Sequence, residues 1–140
     1  MKRLGLRCGA LALLITACAS PAGVEANDAW SRPVPPVSPA SAIFLELHNG
    51  TDEAITLMGA ESQACAEVQI HETRMDDAGV MSMRPLTGGF QVAAGATELL
   101  APSGVHLMCM EPNTALAAFD VTLRIRDAED IVVPVVVEDR

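Results

Sequence analysis

Tyrosine is missing from this chain, and the other aromatics amount to one Trp and three Phe. Single-stranded nucleic acids are held largely by bases stacking on aromatic side chains, so this scarcity argues against that role. Lysine is almost as rare: Lys2 stands alone, and every other basic residue is an arginine. Asp and Glu number 18 against 9 Lys and Arg, for a formal net charge of −9. Such a balance is ill suited to a phosphate backbone. It suits a well-solvated surface, and steering of cations or of a basic partner. Long stretches of helical period and internal repeats are also missing. So are several catalytic signatures: there is no Gly-rich phosphate loop, no G-x-S-x-G elbow, no H-E-x-x-H and no C-x-x-C. No loop clusters oxygen donors as a Ca²⁺ site does. The chain is therefore not expected to be an enzyme.

What is present is apolar material. Hydrophobic residues make up 50% of 140, enough for one domain with a real core. The first residues read as an address. Met1 to Arg7 carries Lys2, Arg3 and Arg7, and Cys8 to Ala17 is an apolar run too short to span a bilayer. That order is the form of a secretory signal. Ile15-Thr16-Ala17-Cys18 looks like a lipobox, with Cys18 as the lipidated new N-terminus. Cleavage at Ala17-Cys18-Ala19 or Val24-Glu25-Ala26 is the competing ending. The favoured division is a leader over 1–18, of lipoprotein type, and a single β domain over 19–140. Either route exports the protein to the periplasm, and loss of the three leader cations makes the chain still more acidic.

Downstream, the alternation of apolar and polar residues has period two. Strands are expected at Val24–Ser31, Ser41–His48, Ala54–Gly59, Ala66–Glu72, Val80–Arg84, Phe90–Val92, Thr97–Leu100, Gly104–Met110, Phe119–Arg126 and Ile131–Val137. Between the first two runs the chain has prolines at 33, 35, 36 and 39, which make an extended loop. Asn49-Gly50 is a strong hairpin signal, with Ala54–Gly59 as the returning strand. Pro134 suggests an edge strand or a bulge. Short strands with frequent turn signals give an all-β sandwich or Greek-key barrel. Export makes a Cys65–Cys109 disulfide one expectation, beside two buried thiols or extra metal ligation.

The strand Gly104–Met110 organises the rest. Val105, Leu107 and Cys109 share one face, and His106, Met108 and Met110 share the other. A half-buried strand needs only the first of these for the core. Burying a Met is worth roughly 1.5–3 kcal/mol, so turning thioethers outward forgoes that gain unless they face something that wants sulfur. Imidazole with thioether is a soft donor set that suits copper, above all Cu(I). Zn²⁺ would prefer thiolates, imidazoles or carboxylates. His71 and Met83 lie on the same kind of face and flank one hairpin. Each of these residues alone has a plain structural reading, as a solvated His or a gap-filling Met. The set of four, His71, Met83, His106 and Met108, favours an ion. Met75, Met81 and Met110 are auxiliary ligands or plain core, and His48 is a surface residue.

Several segments match one family closely. They are Asp28-Ala29-Trp30-Ser31-Arg32, Val68-Gln69-Ile70-His71-Glu72-Thr73, Gly79-Val80-Met81-Ser82-Met83-Arg84-Pro85, Gly88-Gly89 and Gly104-Val105-His106-Leu107-Met108. In them the chain resembles the bacterial periplasmic copper chaperones of the PCuAC type. The resemblance implies a cupredoxin-like β-fold and a solvent-exposed Cu(I) site. It also implies delivery of copper to the CuA centre of cytochrome c oxidase subunit II, or to another periplasmic copper protein. Carried over by position, the ligands are His71, Met83, His106 and Met108. Met83 is preferred to Met81 because it directly precedes Arg84-Pro85. Two rivals stand beside this reading. A cupredoxin-type electron carrier needs a Cys thiolate with two His, and Cys109 faces away from His106. An envelope β-sandwich with structural or interaction duties would use its methionines only for packing.

Overall fold

The computed structural model describes residues 23–140. The expected leader and Cys18 lie outside the described residues. The strands in chain order are β1 (Val24–Ser31), β2 (Ala40–Asn49), β3 (Ile55–Glu61), β4 (Glu67–Met75), β5 (Met81–Pro85), β6 (Phe90–Val92), β7 (Thr97–Leu100), β8 (Val105–Met110), β9 (Ala118–Arg126) and β10 (Ile131–Val137). All of the strands expected from alternation form, with some ends shifted by a few residues.

The strands run β5-β4-β8-β2-β1-β10-β9-β3-β6 in one sheet, and β7 also pairs with β2. Ala60 of β3 pairs with Val68 of β4. That contact joins the two ends of the path from β4 to β3 and closes a barrel. The closed barrel matches the expected all-β, cupredoxin-like class. Its interior is built from the apolar half of each alternation. Ile43, Leu47, Leu57, Leu107, Val121, Leu123 and Val135 are fully buried there, and they join Val68, Ile70 and Cys109 in one core cluster. Cys65 and Cys109 are joined as a disulfide, with Cα atoms 5.3 Å apart. Of the three fates open to them, the structure takes this one.

One turn expectation and one edge-strand expectation are corrected. Asn49-Gly50 does not make a hairpin: β3 pairs with β4, β6 and β9, not with β2. The Asn49 side chain is fully buried. Its amide donates to the carbonyls of Glu53, Val92 and Ala93, and its Oδ1 accepts from the Thr51 backbone N–H and hydroxyl. That wedge sends the chain across the barrel instead of back along β2. Pro134 lies not on an outer edge but in β10, between β1 and β9. It pairs with Asp120 on the β9 side, while β1 reaches only Val136 and Val137. The missing N–H is tolerated because β1 makes no ladder bond at that level.

Gly89 shows a turn fixed by backbone freedom. Its φ is +82°, and a Cβ there would lie 2.8 Å from the Leu57 carbonyl oxygen. Gly89→Ala is expected to destabilise the fold by about 1–3 kcal/mol, since it adds left-handed strain to a clash. Urea denaturation of the variant beside the parent chain checks this. An unchanged midpoint would contradict it.

Candidate metal centre

The register of β4, β5 and β8 decides which side chains meet. His71 pairs directly with His106, and Gln69 with Met108. Across the hairpin, Met83 pairs with Thr73 and Met81 with Met75. Direct partners share a face, so all of these point to the outer side of the barrel wall, opposite Ile70, Leu107 and Cys109. The four side chains singled out from the sequence therefore lie on one face. The two histidines are cross-strand neighbours. Met83 and Met108 are displaced from the His71 level in opposite directions, each by two residues or about 7 Å along the strand. The arrangement is a histidine pair with a thioether at either end.

Exposure is uneven, and here the expectation of a solvent-exposed site is corrected. His106 is 1% exposed, whereas Met83 is 58% exposed. His71 and Met108 are half-buried. His106 is covered because an aromatic ladder grows over that part of the outer face. Its ring centre lies 6.1 Å from that of Phe44 and 6.1 Å from that of His71, and Phe44 in turn stacks 4.7 Å from Trp30. A bulge puts Trp30 there. Asp28 has φ 50°, and the β1–β2 register shifts between Asn27 and Trp30. The extra residue changes the face on which Trp30 emerges. Arg140 binds the Asp28 carboxylate through two 2.9 Å bonds, and the Arg32 and Arg140 guanidinium groups lie over the indole. Phe44 is not among the residues that the sequence marks as candidates. Its signal was an aromatic on the face of β2 opposite Ile43 and Leu45.

Hydrogen bonds fix the proton on each ring. A backbone carbonyl can only accept, so the 3.1 Å contact between His106 Nδ1 and the Gly104 oxygen makes Nδ1 the N–H. Nε2 of His106 is then a bare lone pair. His71 Nε2 donates to Gln69 Oε1 at 2.8 Å, which leaves the lone pair on Nδ1. Both of these nitrogens, His71 Nδ1 and His106 Nε2, are buried without a hydrogen-bond partner. A buried polar atom ordinarily finds one. An imidazole that gives its N–H to a carbonyl or amide oxygen while its other nitrogen stays bare is the usual arrangement of a metal-binding histidine. These two nitrogens are the atoms through which the pair would hold a soft ion. Burial, and to a lesser degree the neighbouring His106, holds the His71 pKa below the ordinary histidine value. Its ring therefore keeps a lone pair into mildly acidic solution.

The surrounding acids have other work. Asp76 Oδ1 accepts the Ala78 and Val80 N–H groups in the hairpin turn, and Glu72 pairs with Arg74. Among the described residues, no three His, Cys, Asp or Glu side chains are grouped to hold a metal ion. His48 is bonded to Thr97 away from the pair. Cys109 is closed in its disulfide on the inner face. Among the described residues, no cysteine therefore offers the site the thiolate that a cupredoxin-type electron-transfer centre requires.

The fold defines the class. The chain superposes on the copper-bound PCuAC domain from PmoF2 with TM-score 0.68 at 18% identity, covering 84% of this chain and 93% of that one. It superposes on the solution structure of CuI-DR1885 from Deinococcus radiodurans with TM-score 0.65 at 24% identity, covering 89% and 83%. At these identities the likeness establishes a shared fold. Residues 24–137 match the model of a family described as "Putative lipoprotein LpqE-like", and the chain belongs to that family. A relative from Leifsonia xyli subsp. xyli, described as "Putative lipoprotein Lxx21020", is 34% identical over 120 residues, spanning 84% of this chain and 70% of its own length.

Proposed function

We propose that this protein is an exported copper chaperone that carries Cu(I) as cargo and has no catalytic turnover. The observation that carries the reading is the pair of buried, unpartnered imidazole nitrogens, His71 Nδ1 and His106 Nε2. Their residues are direct cross-strand partners, with Met83 and Met108 on the same face. His106 and His71 supply nitrogen, and Met108 and Met83 supply sulfur from either end. This donor set suits a soft monovalent ion. Two of the solved structures that share the fold are themselves described as copper-bound and CuI-loaded, which supports the choice of metal.

The gradient of exposure gives the transfer its order. Met83 is open to solvent, His71 is half-buried and His106 is buried. An acceptor's ligands can displace the exposed thioether first and His71 next, while His106 holds the ion until the last exchange. The recipient we favour is cytochrome c oxidase subunit II or another periplasmic copper protein. Cys18 provides the lipid anchor that holds the domain at the membrane, in keeping with the family's description.

A Cu(I) titration against a competing chelator tests the reading, and its pH dependence adds a sign. Thioethers need no deprotonation, whereas protons compete for the imidazoles. Because burial lowers the His71 pKa, that ring keeps its lone pair to lower pH than an ordinary histidine. Affinity should decline as the imidazoles take up protons in stronger acid. A tight equivalent at pH 7 that weakens in stronger acid is expected. Absence of Cu(I) binding at neutral pH would overturn the proposal.

A further inference from the structure

The methionines of the β4–β5 hairpin exceed what the histidine pair can use. Met75 and Met81 are direct cross-strand partners, and Met83 faces Thr73 on the next pair of the same face. Direct partners have Cβ atoms about 5 Å apart, and diagonal ones remain within reach of long side chains. Three flexible thioethers therefore surround one spot beyond the His71 level. They are 67%, 58% and 58% exposed respectively. None is packing a core, so each forgoes the burial that a Met normally gains. The nearest acid in the turn, Asp76, has its Oδ1 committed to backbone N–H groups. The donors that Met75, Met81 and Met83 bring to this spot are sulfur.

We infer that Met75, Met81 and Met83 form a second, outlying site for a soft monovalent cation, Cu(I) or Ag(I), which receives the ion first and passes it inward. The inference rests on the copper reading of the histidine pair for its direction of transfer, but not for the site itself. Met83 is the shared member: it is diagonal to His71 on one side and to Met75 on the other. An ion can move along the hairpin face by exchanging one thioether at a time. The three thioethers are flexible and exposed, whereas the imidazole nitrogens are buried and held by hydrogen bonds, so this outer site is the weaker one and does not trap the ion. It also differs in its response to acid, because no proton competes for sulfur there.

The test uses the full chain carrying Cys8→Ser and Cys18→Ser, which leaves no thiol outside the Cys65–Cys109 disulfide. Methionine methyl resonances and the histidine ring signals are followed by NMR while Ag(I) is added. The expected result is two events. The histidine rings and Met108 respond to the first equivalent, and the Met75 and Met81 methyls shift with the second. At pH 5 the second event persists. Met75→Leu/Met81→Leu, which keeps the apolar volume, should lose the second event and retain the first. His71→Ala/His106→Ala should lose the first and retain the second. Met75 and Met81 methyls that stay unmoved in the parent chain at excess Ag(I) would overturn the inference, whatever the histidines do. If the histidine rings stay silent while those methyls shift, the outer site stands and the copper reading of the histidine pair fails.

Discussion

Replacing His71 and His106 together by alanine is expected to abolish tight Cu(I) binding. Each single replacement should cost more than the about 10–100-fold that follows loss of a mere supporting partner at a metal site. The argument is one of donor count. The two imidazoles present the bare nitrogens, and both are buried. The methionines that remain are separated along the strands, so they cannot hold the ion as tightly. His106→Ala should be the more damaging single change. His106 is 1% exposed and its Nδ1–H is fixed by the Gly104 carbonyl, so its lone pair is aimed before the ion arrives. His71 is oriented by a side chain, Gln69, and not by the backbone. Competition titration of the three variants checks the order, with near-ultraviolet spectra of Trp30 confirming that the fold persists. Retained affinity in the double variant would remove the histidine pair from the site.

Removing the Cys65–Cys109 disulfide is expected to cost about 4 kcal/mol of stability, from the chain entropy of a loop this long. The bridge links residues 44 apart in sequence, and its two ends belong to adjacent parts of the wall that carries the site. Cys109 lies in β8, three residues after His106, and pairs with Val68 of β4. Cys65 lies just before β4. The bridge therefore braces the same two strands that bring His71 opposite His106. Reduction should loosen that register, so copper affinity should fall with stability. Urea denaturation and Cu(I) titration of a Cys65→Ala/Cys109→Ala chain check both effects. A midpoint within experimental error of the parent would show that the bridge contributes little.

Much of this architecture was legible because period-two alternation is a local signal. Ile43, Leu45 and Leu47 announce β2 without help from the rest of the chain, and Val121, Leu123 and Ile125 announce β9 in the same way. The face shared by His106 and Met108 follows from the same arithmetic. What the chain did not announce depends on distant partners. Asn49 reads as half of a hairpin turn, yet its amide is claimed by carbonyls at Val92 and Ala93, which lie far along the sequence. The burial of His106 depends on Phe44, and Trp30 reaches Phe44 only because Asp28 takes up a left-handed bulge. No neighbouring residue encodes that sum. Pro134 looked like an edge residue because Pro lacks a donor. In fact it sits between two strands, one of which makes no ladder bond at its level.

The choice between Met83 and Met81 shows the same limit. Both lie on the correct face of β5, and spacing alone barely separates them. The register does: Met83 is two residues from the His71 level, whereas Met81 is four away, opposite Met75. This supports Met83 as the thioether of the histidine pair and leaves Met81 for the outer site.

The most direct test of the central claim is nitrogen NMR of the histidine rings, before and after one equivalent of Cu(I). In the metal-free chain, His106 should show the Nδ1–H tautomer and His71 the Nε2–H tautomer, as their partners Gly104 and Gln69 require. On loading, His71 Nδ1 and His106 Nε2 should shift together, while His48, bonded to Thr97, stays unmoved as an internal control. Rings that do not respond, or a response at His48 instead, would contradict the account.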